Sequence, residues 1–174
     1  MISPIQSFIN DYQELYTFLT SQGKISESIE VNDHYRKILL LSCASYYESQ
    51  ITNIIQEFIK KNSTDERVFD FLNNKAIQRQ YHTLFNWKET NINSFLGLFG
   101  SDFKQRISNE IKASEDLQKQ VKAFLEIGNE RNKMVHGNFL EYQLEKTIEE
   151  ISSLHNEATK LIEYIRSIFD NNGQ

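Results

Sequence analysis

Three polar side chains that could handle a phosphate group lie close together in the last third of the chain. Arg131, Asn132 and His136 fall within residues 130–138. A guanidinium stays charged and offers phosphate a planar fork of donors, and an imidazole, with an unperturbed pKa of about 6.5, can move protons near neutrality. On an α-helix Asn132 and His136 share a face, whereas the five-residue step from Arg131 to His136 turns about 140°. These residues are therefore candidates for binding a phosphodiester and transferring a proton.

A helix is predicted to carry this segment. Ser114 is its expected N-cap and Gly137 the residue just past its end. Its inward stripe is Leu117, Val121, Phe124, Gly128, Arg131 and Val135. The stripe is apolar up to Gly128 and turns polar at Arg131, so we expect the guanidinium to leave the helix from its inward side.

A second long helix, predicted from about Asp33 to Lys61, supplies one carboxylate at an unexpected place. Its stripe is Leu41, Ala44, Glu48, Ile51, Ile55 and Phe58. Glu48 stands where an apolar residue is expected, and a lone buried charge is too costly. Glu48 is therefore at the edge of the core or buried with a partner, and we expect it to contact Arg131, directly or through Asn132.

The remaining sequence predicts further helices and no strand. Ser3 is the expected N-cap of a first helix that Gly23 closes, and the last helix is predicted from about Leu144 to Phe169. Residues 65–112 hold short apolar and aromatic clusters broken by polar turns, which indicates short helices with aromatic residues in the core. We therefore expect one all-α domain over residues 1–174, an up-and-down helical bundle with a short-helix insertion.

Composition and charge narrow the classes of function. The net charge of −5 and the pI of about 5.4 argue against broad non-specific binding of nucleic acid but leave room for a small basic site. The single cysteine, Cys43, lies in an apolar run, excludes an internal disulfide framework and is interpreted as a core residue of a protein in a reducing cytosol. No membrane span or signal peptide is indicated, so we expect a cytoplasmic protein.

Two segments resemble a known family. Residues 131–136, Arg-Asn-Lys-Met-Val-His, match R-x4-H, the shortest form of the R-x4-to-6-H motif of HEPN domains, and Gly-Asn follows. Residues 45–48, Ser-Tyr-Tyr-Glu, resemble the corresponding part of an early HEPN helix. The chain is most similar to the RiboL-PSP and MAE_28990 type, over roughly residues 35–169. The resemblance implies a HEPN-like bundle.

The resemblance also implies an activity and partners. It implies a metal-independent endoribonuclease without a cofactor, and a homodimer in which two such motifs face each other across a shared cleft. We expect Arg131, Asn132, His136 and Glu48 to form the site, with RNA as substrate. It further implies a toxin or anti-phage effector with an antitoxin or regulatory protein. HEPN toxins paired with nucleotidyltransferase antitoxins have a tyrosine two residues after the histidine. Asn138 stands there, so control through that tyrosine is not expected.

The residue types fit cleavage of RNA without a metal. The 2′-hydroxyl beside the scissile phosphate is the nucleophile, an imidazole can take its proton or protonate the leaving 5′-oxygen, and a guanidinium stabilises the charge on the phosphorane. We therefore expect cleavage of single-stranded or loop RNA, with 2′,3′-cyclic phosphate and 5′-hydroxyl ends. His34, His82 and His155 lack metal-ligand spacing and are interpreted as surface or satisfied residues, so no metal site is expected.

Two other interpretations stay open on sequence alone. In the first, Arg131 forms an interhelical salt bridge with Glu48 and His136 only ends a helix. In the second, the chain is a non-catalytic HEPN-like bundle that binds a partner protein or a nucleotide. An RNase assay with EDTA present separates these from the ribonuclease.

Overall fold

A computed structural model of the protein describes residues 4–78 and 80–170. In these residues the backbone forms eight α-helices and no strand, which confirms the all-α prediction. The helices are α1 (Pro4–Ser21), α2 (Ile25–Asn62), α3 (Glu66–Leu72), α4 (Tyr81–Leu84), α5 (Asn93–Gly97), α6 (Ser101–Ala113), α7 (Glu115–His136) and α8 (Ile148–Asp170). The long helices α2, α7 and α8 pack on one another, α1 lies along α2, and α3 to α6 form the predicted insertion.

A tight turn joins α1 to α2. Gly23 has a φ of 72°, in the left-handed region that favours glycine, and α1 ends at Ser21 just before it. The prediction that Gly23 closes the first helix is therefore confirmed. The predicted N-cap, Ser3, lies outside the described residues.

The second helix is longer than predicted. The prediction that it begins near Asp33 is wrong, because α2 begins at Ile25. Residues 25–32 contain no proline or glycine to end a helix, and contacts with α1 stabilise the extra turns. One such contact is half-buried: the Tyr12 hydroxyl donates to Asn32 Oδ1 at 2.8 Å.

The insertion between α2 and α7 consists of short helices, as predicted. Asp65 begins it as the N-cap of α3, where its carboxylate accepts from the Arg67 backbone N–H at 3.0 Å. A π-helical turn at Asn73–Ile77, which the sequence did not predict, follows α3. Phe85 and Phe95 are buried in the core, as predicted, and stack with ring centroids 4.7 Å apart, whereas Phe71 is 63% exposed.

The start and end of α7 agree with the sequence. The Ser114 hydroxyl caps the helix by accepting from the Leu117 N–H at 3.3 Å. The helix ends at His136, and Gly137 follows with a φ of −93°. Gly137 therefore ends the helix in an extended conformation rather than the left-handed one common at helix ends.

The predicted inward stripe of α7 fails in its last turn. Val135 is 46% exposed, so its assignment to the inward side is wrong. Ile127 and Met134 are each 0% exposed. The side of α7 that faces the core therefore runs through Ile127 and Met134 at this end, which leaves Val135 at the edge of the bundle.

The prediction that the last helix begins near Leu144 is also wrong, because α8 begins at Ile148. Thr147 and Glu150 form a capping box at this start: the Glu150 N–H donates to Thr147 Oγ1 at 3.2 Å, and the Thr147 N–H donates to the Glu150 carboxylate at 2.8 Å. The Leu144 carbonyl instead accepts from Arg36 at 2.9 Å. The residues before Thr147 are thus held in a loop.

The core between the long helices is apolar. Its fully buried residues include Leu39, Leu40, Tyr47, Ile51, Phe124, Ile151, Leu161 and Ile165. Cys43 is fully buried among them, and burial raises the pKa of its thiol to about 12, which agrees with its interpretation as a core residue. Within residues 4–78 and 80–170, no helix is long and apolar enough to cross a membrane.

Candidate active site

The C-terminal end of α7 carries the residues that could act on a phosphate. Arg131 and Asn132 are half-buried, whereas His136, the last helical residue, is exposed. All three belong to one continuous helix that packs against α2 and α8. The bundle therefore fixes the backbone from which these side chains project.

The Arg131 guanidinium is not neutralised within the part of the chain that the structure describes. Its Nη1 donates to Oδ1 of the neighbouring Asn132 at 3.0 Å. No carboxylate of the described residues lies within 4.0 Å of it. A guanidinium has five N–H donors, so most of them, and the whole charge, are available to an anion.

Glu48 lies near Arg131 but does not face inward. Its side chain is exposed, so of the two expected placements it is the one at the edge of the core that the structure shows, and not burial with a partner. The expected contact with Arg131, directly or through Asn132, is not formed: the Asn132 oxygen accepts from Arg131, and Glu48 pairs with neither residue. An exposed carboxylate keeps the hydration that a buried, unpaired one would lose. Glu48 nevertheless lines the same small cavity as Arg131 and Asn132.

This cavity lies between α2, α4 and α7. Its volume is about 10 Å³, which is room for roughly one water molecule. Its lining includes Tyr47, Glu48, Tyr81, Trp87, Arg131 and Asn132. Two opposite charges, one amide and two phenol rings therefore surround a space in which a single small polar group fits.

A glycine allows the insertion to close this cavity. A Cβ at Gly128 would lie 2.1 Å from Cε3 of Trp87, too close for any side chain. The Trp87 Nε1 donates to the His82 carbonyl at 3.1 Å, and its ring lies 5.7 Å from that of Phe124. Trp87 therefore rests directly on α7, less than one turn before Arg131.

His136 does not belong to the cavity. In the described part of the chain its ring makes no hydrogen bond, ion pair or aromatic contact, and it does not line the space beside Arg131. On α7 the step from Arg131 rises about 7.5 Å and turns about 140°. One protomer therefore does not bring the guanidinium and the imidazole onto one face.

The loop between α7 and α8 is tied to α7 by contacts that the sequence analysis missed. Glu130 accepts hydrogen bonds from Lys133 Nζ and the Tyr142 hydroxyl, each at 2.7 Å. Burial opposes ionisation of Glu130, but these bonds outweigh it and hold its pKa below the usual range. Burial and the bond to Glu130 raise the pKa of Tyr142 to about 12. Lys146, which lies in the loop, pairs with Glu126 of α7.

Two cations of α2 hold the other side of this loop. Arg36 and Lys37 each pair with Asp33 at 2.9 Å. Arg36 donates to the Leu144 carbonyl, and the buried Lys37 donates to the Leu140 carbonyl at 3.4 Å. The loop that follows α7 is thus fixed from α2 as well as from α7.

The other histidines agree with their interpretation as surface or satisfied residues. His34 and His82 are exposed. His155 is half-buried, its Nδ1 lies 3.1 Å from the Tyr47 hydroxyl, and burial lowers the pKa of His155. Across residues 4–78 and 80–170, no three His, Cys, Asp or Glu side chains are grouped as metal ligands.

Fold and site together define a class of protein. An all-helical bundle with the arginine and histidine of an R-x4-H motif at the end of a long helix is typical of HEPN domains. The chain belongs to the RiboL-PSP-HEPN family, whose model matches residues 6–171. This match confirms the resemblance found in the sequence. No curated protein and no solved structure matches the chain.

Proposed function

We propose that this HEPN protein is a metal-independent endoribonuclease that cleaves single-stranded or loop RNA. The observation that carries the proposal is the Arg131 guanidinium, which is half-buried and has no carboxylate partner among the described residues. A salt bridge to Glu48 would have neutralised this charge. Because no such bridge forms, the guanidinium is free to bind a phosphate, as the R-x4-H motif of the family implies.

Each residue has a role in this chemistry. Arg131 binds the scissile phosphate and stabilises the charge that develops on the phosphorane. Asn132 orients the guanidinium through its Oδ1, and Glu48 supports it from the cavity rim. His136 acts as general acid or base. The bond from the 2′-oxygen to phosphorus forms, the bond to the 5′-oxygen breaks, and the 2′-hydroxyl loses a proton while the 5′-oxygen gains one.

We propose that the enzyme is a homodimer in which each site draws on both protomers. Arg131 and His136 of one protomer point apart, so a partner's histidine is the simplest complement to each guanidinium. Two exposed apolar side chains flank His136: Val135 is 46% exposed and Leu140 is 75% exposed. A second copy that covers them would bring two motifs together.

A charge in this apolar surface is expected to dissociate the dimer. Light scattering at micromolar concentration should give the dimer mass for the wild type and the monomer mass for Leu140→Glu, because a buried, unpaired carboxylate is costly. Leu98→Glu, at a residue 62% exposed in the insertion, is the matched control and should stay dimeric. The interface should bury roughly 1,200 Å² or more in total. A monomeric wild type would refute this prediction.

We further propose that the protein acts in the cytoplasm as a toxin or anti-phage effector. The support is its HEPN family, in which the resemblance implies such roles. An antitoxin or other regulatory protein would then restrain it. Expression of the wild type should then arrest growth, and Arg131→Ala should abolish the arrest.

The function is tested by RNA cleavage with EDTA present. The purified protein should cleave single-stranded RNA, and Arg131→Ala should lower the rate about 10²–10³-fold, because it removes the cation that stabilises the developing charge. The control is Arg67→Ala, since the Arg67 side chain is 90% exposed on the insertion. It should keep the wild-type rate.

Two outcomes would overturn the proposal. Activity that EDTA abolishes and magnesium restores would mean that the mechanism needs a metal. A folded wild type that cleaves no RNA would favour the non-catalytic alternative, a bundle that binds a protein or a nucleotide.

A further inference from the structure

The hydroxyl of Tyr81 is buried and lacks a hydrogen-bond partner. Tyr81 is 9% exposed. Its hydroxyl and Arg36 Nε are the buried side-chain polar atoms of the described residues that have no partner. A buried hydroxyl without a partner destabilises a fold, and such a group in a native structure calls for an explanation.

Packing alone does not explain this hydroxyl. The Tyr81 ring lies against Phe85 and Trp87, with centroid distances of 5.9 and 5.6 Å. A phenylalanine ring would keep both contacts and would avoid burying a polar atom. The hydroxyl therefore needs a reason beyond the aromatic core.

The cavity beside Arg131 gives the Tyr81 hydroxyl such a reason. Tyr81 lines it together with Glu48 and Arg131, whose charges are opposite but do not pair. Both charges act on the hydroxyl, Glu48 raising and Arg131 lowering the pKa that burial has already raised. A phenol can donate to a carboxylate and accept from a guanidinium at the same time. It is thus suited to join the two groups across a space that holds about one water molecule.

We propose that Tyr81 is a positioning residue of the nuclease site, linking Glu48 to Arg131 through one water molecule. This inference rests on the proposed ribonuclease function. The hydroxyl itself is too buried to touch RNA. Its effect is to keep the guanidinium directed at the scissile phosphate when the phosphate competes with Asn132 for the N–H donors. It also gives the exposed Glu48 a role despite the absence of a direct ion pair.

Tyr81→Phe removes only the oxygen and is expected to separate activity from stability. The rate constant kcat should fall about tenfold or more, because a small misplacement of a catalytic group is costly, while KM stays within about twofold. The melting temperature should change little, because a phenylalanine ring keeps the contacts with Phe85 and Trp87.

The matched control is Tyr12→Phe. Tyr12 is 7% exposed, and its hydroxyl donates to Asn32 in the α1–α2 hairpin, away from the cavity. This variant should show the reverse pattern, a lower melting temperature with kcat unchanged. If Tyr81→Phe keeps the wild-type kcat, or loses activity only in step with stability, the proposal is wrong.

A double-mutant cycle with Glu48→Gln tests the link itself. If Tyr81 acts through Glu48, the double variant should have a kcat no lower than that of Glu48→Gln alone. Losses that multiply would show that the two residues act independently, which contradicts the proposal.

A readout without RNA separates this inference from the proposed function. The NMR signal of the Arg131 Nε–H should shift in Tyr81→Phe and in Glu48→Gln but stay in place in Tyr12→Phe. If the wild type cleaves no RNA, the proposed function fails, and these shifts still decide whether Tyr81 positions the guanidinium. An unchanged signal in Tyr81→Phe refutes the link.

Discussion

Replacing His136 with alanine is expected to lower the rate of RNA cleavage about 10²–10⁴-fold, the usual range for a positioned acid–base group. The side chain is exposed and makes no hydrogen bond or ion pair in the described part of the chain. Removing it should therefore leave the melting temperature unchanged. Single-turnover kinetics and a thermal melt of the same preparation measure both effects.

The matched control is His34→Ala, which removes an exposed histidine of α2 outside the cavity. It should keep full activity. Mixing Arg131→Ala protomers with His136→Ala protomers should restore part of the rate, because a mixed pair in the proposed dimer contains one site with both groups intact. Full activity of His136→Ala, or an equal loss in His34→Ala, would exclude an acid–base role for His136.

Local signals in the sequence predicted the helices well and their limits less well. The cap at Ser114 needs only neighbouring residues, and it is found in the structure. The predicted start near Leu144 lies four residues before the start of α8, where Thr147 and Glu150 form a capping box. The early start of α2 depends on contacts with α1, which local sequence does not show.

The sequence predicted the part of the candidate site that lies on α7. Arg131, Asn132 and His136 lie at the end of a helix, as their spacing and the following glycine indicated. The predicted stripe ran through Glu48, but the buried side of α2 runs through Cys43 and Tyr47 and leaves the next position exposed. A stripe drawn through every third or fourth residue does not decide whether Tyr47 or Glu48 is the buried position.

The contacts that complete the site join distant parts of the chain. Tyr81 and Trp87 reach the cavity because the insertion folds back on Gly128. Arg36 holds a loop carbonyl 108 residues further along the chain. No local sequence pattern predicts such contacts, since they depend on how the helices pack.

A single 2′-deoxynucleotide on the 5′ side of the scissile bond is expected to stop cleavage at that bond completely. The proposed mechanism uses the 2′-oxygen of this nucleotide as its nucleophile. The 2′-hydroxyl is also the group by which a protein tells RNA from DNA. Denaturing gels of an end-labelled oligonucleotide with one such substitution measure the effect.

A 2′-deoxynucleotide one position away is the control, and its substrate should still be cut at the original bond. The substituted strand should also still bind, because the contact proposed for Arg131 is with phosphate, which both strands carry. Normal binding with no cleavage would locate the defect in the chemical step and not in recognition. Cleavage of the substituted bond, or of an all-deoxy strand, would show that an external nucleophile attacks the phosphate, and His136 would then have to activate water instead of the substrate's own hydroxyl.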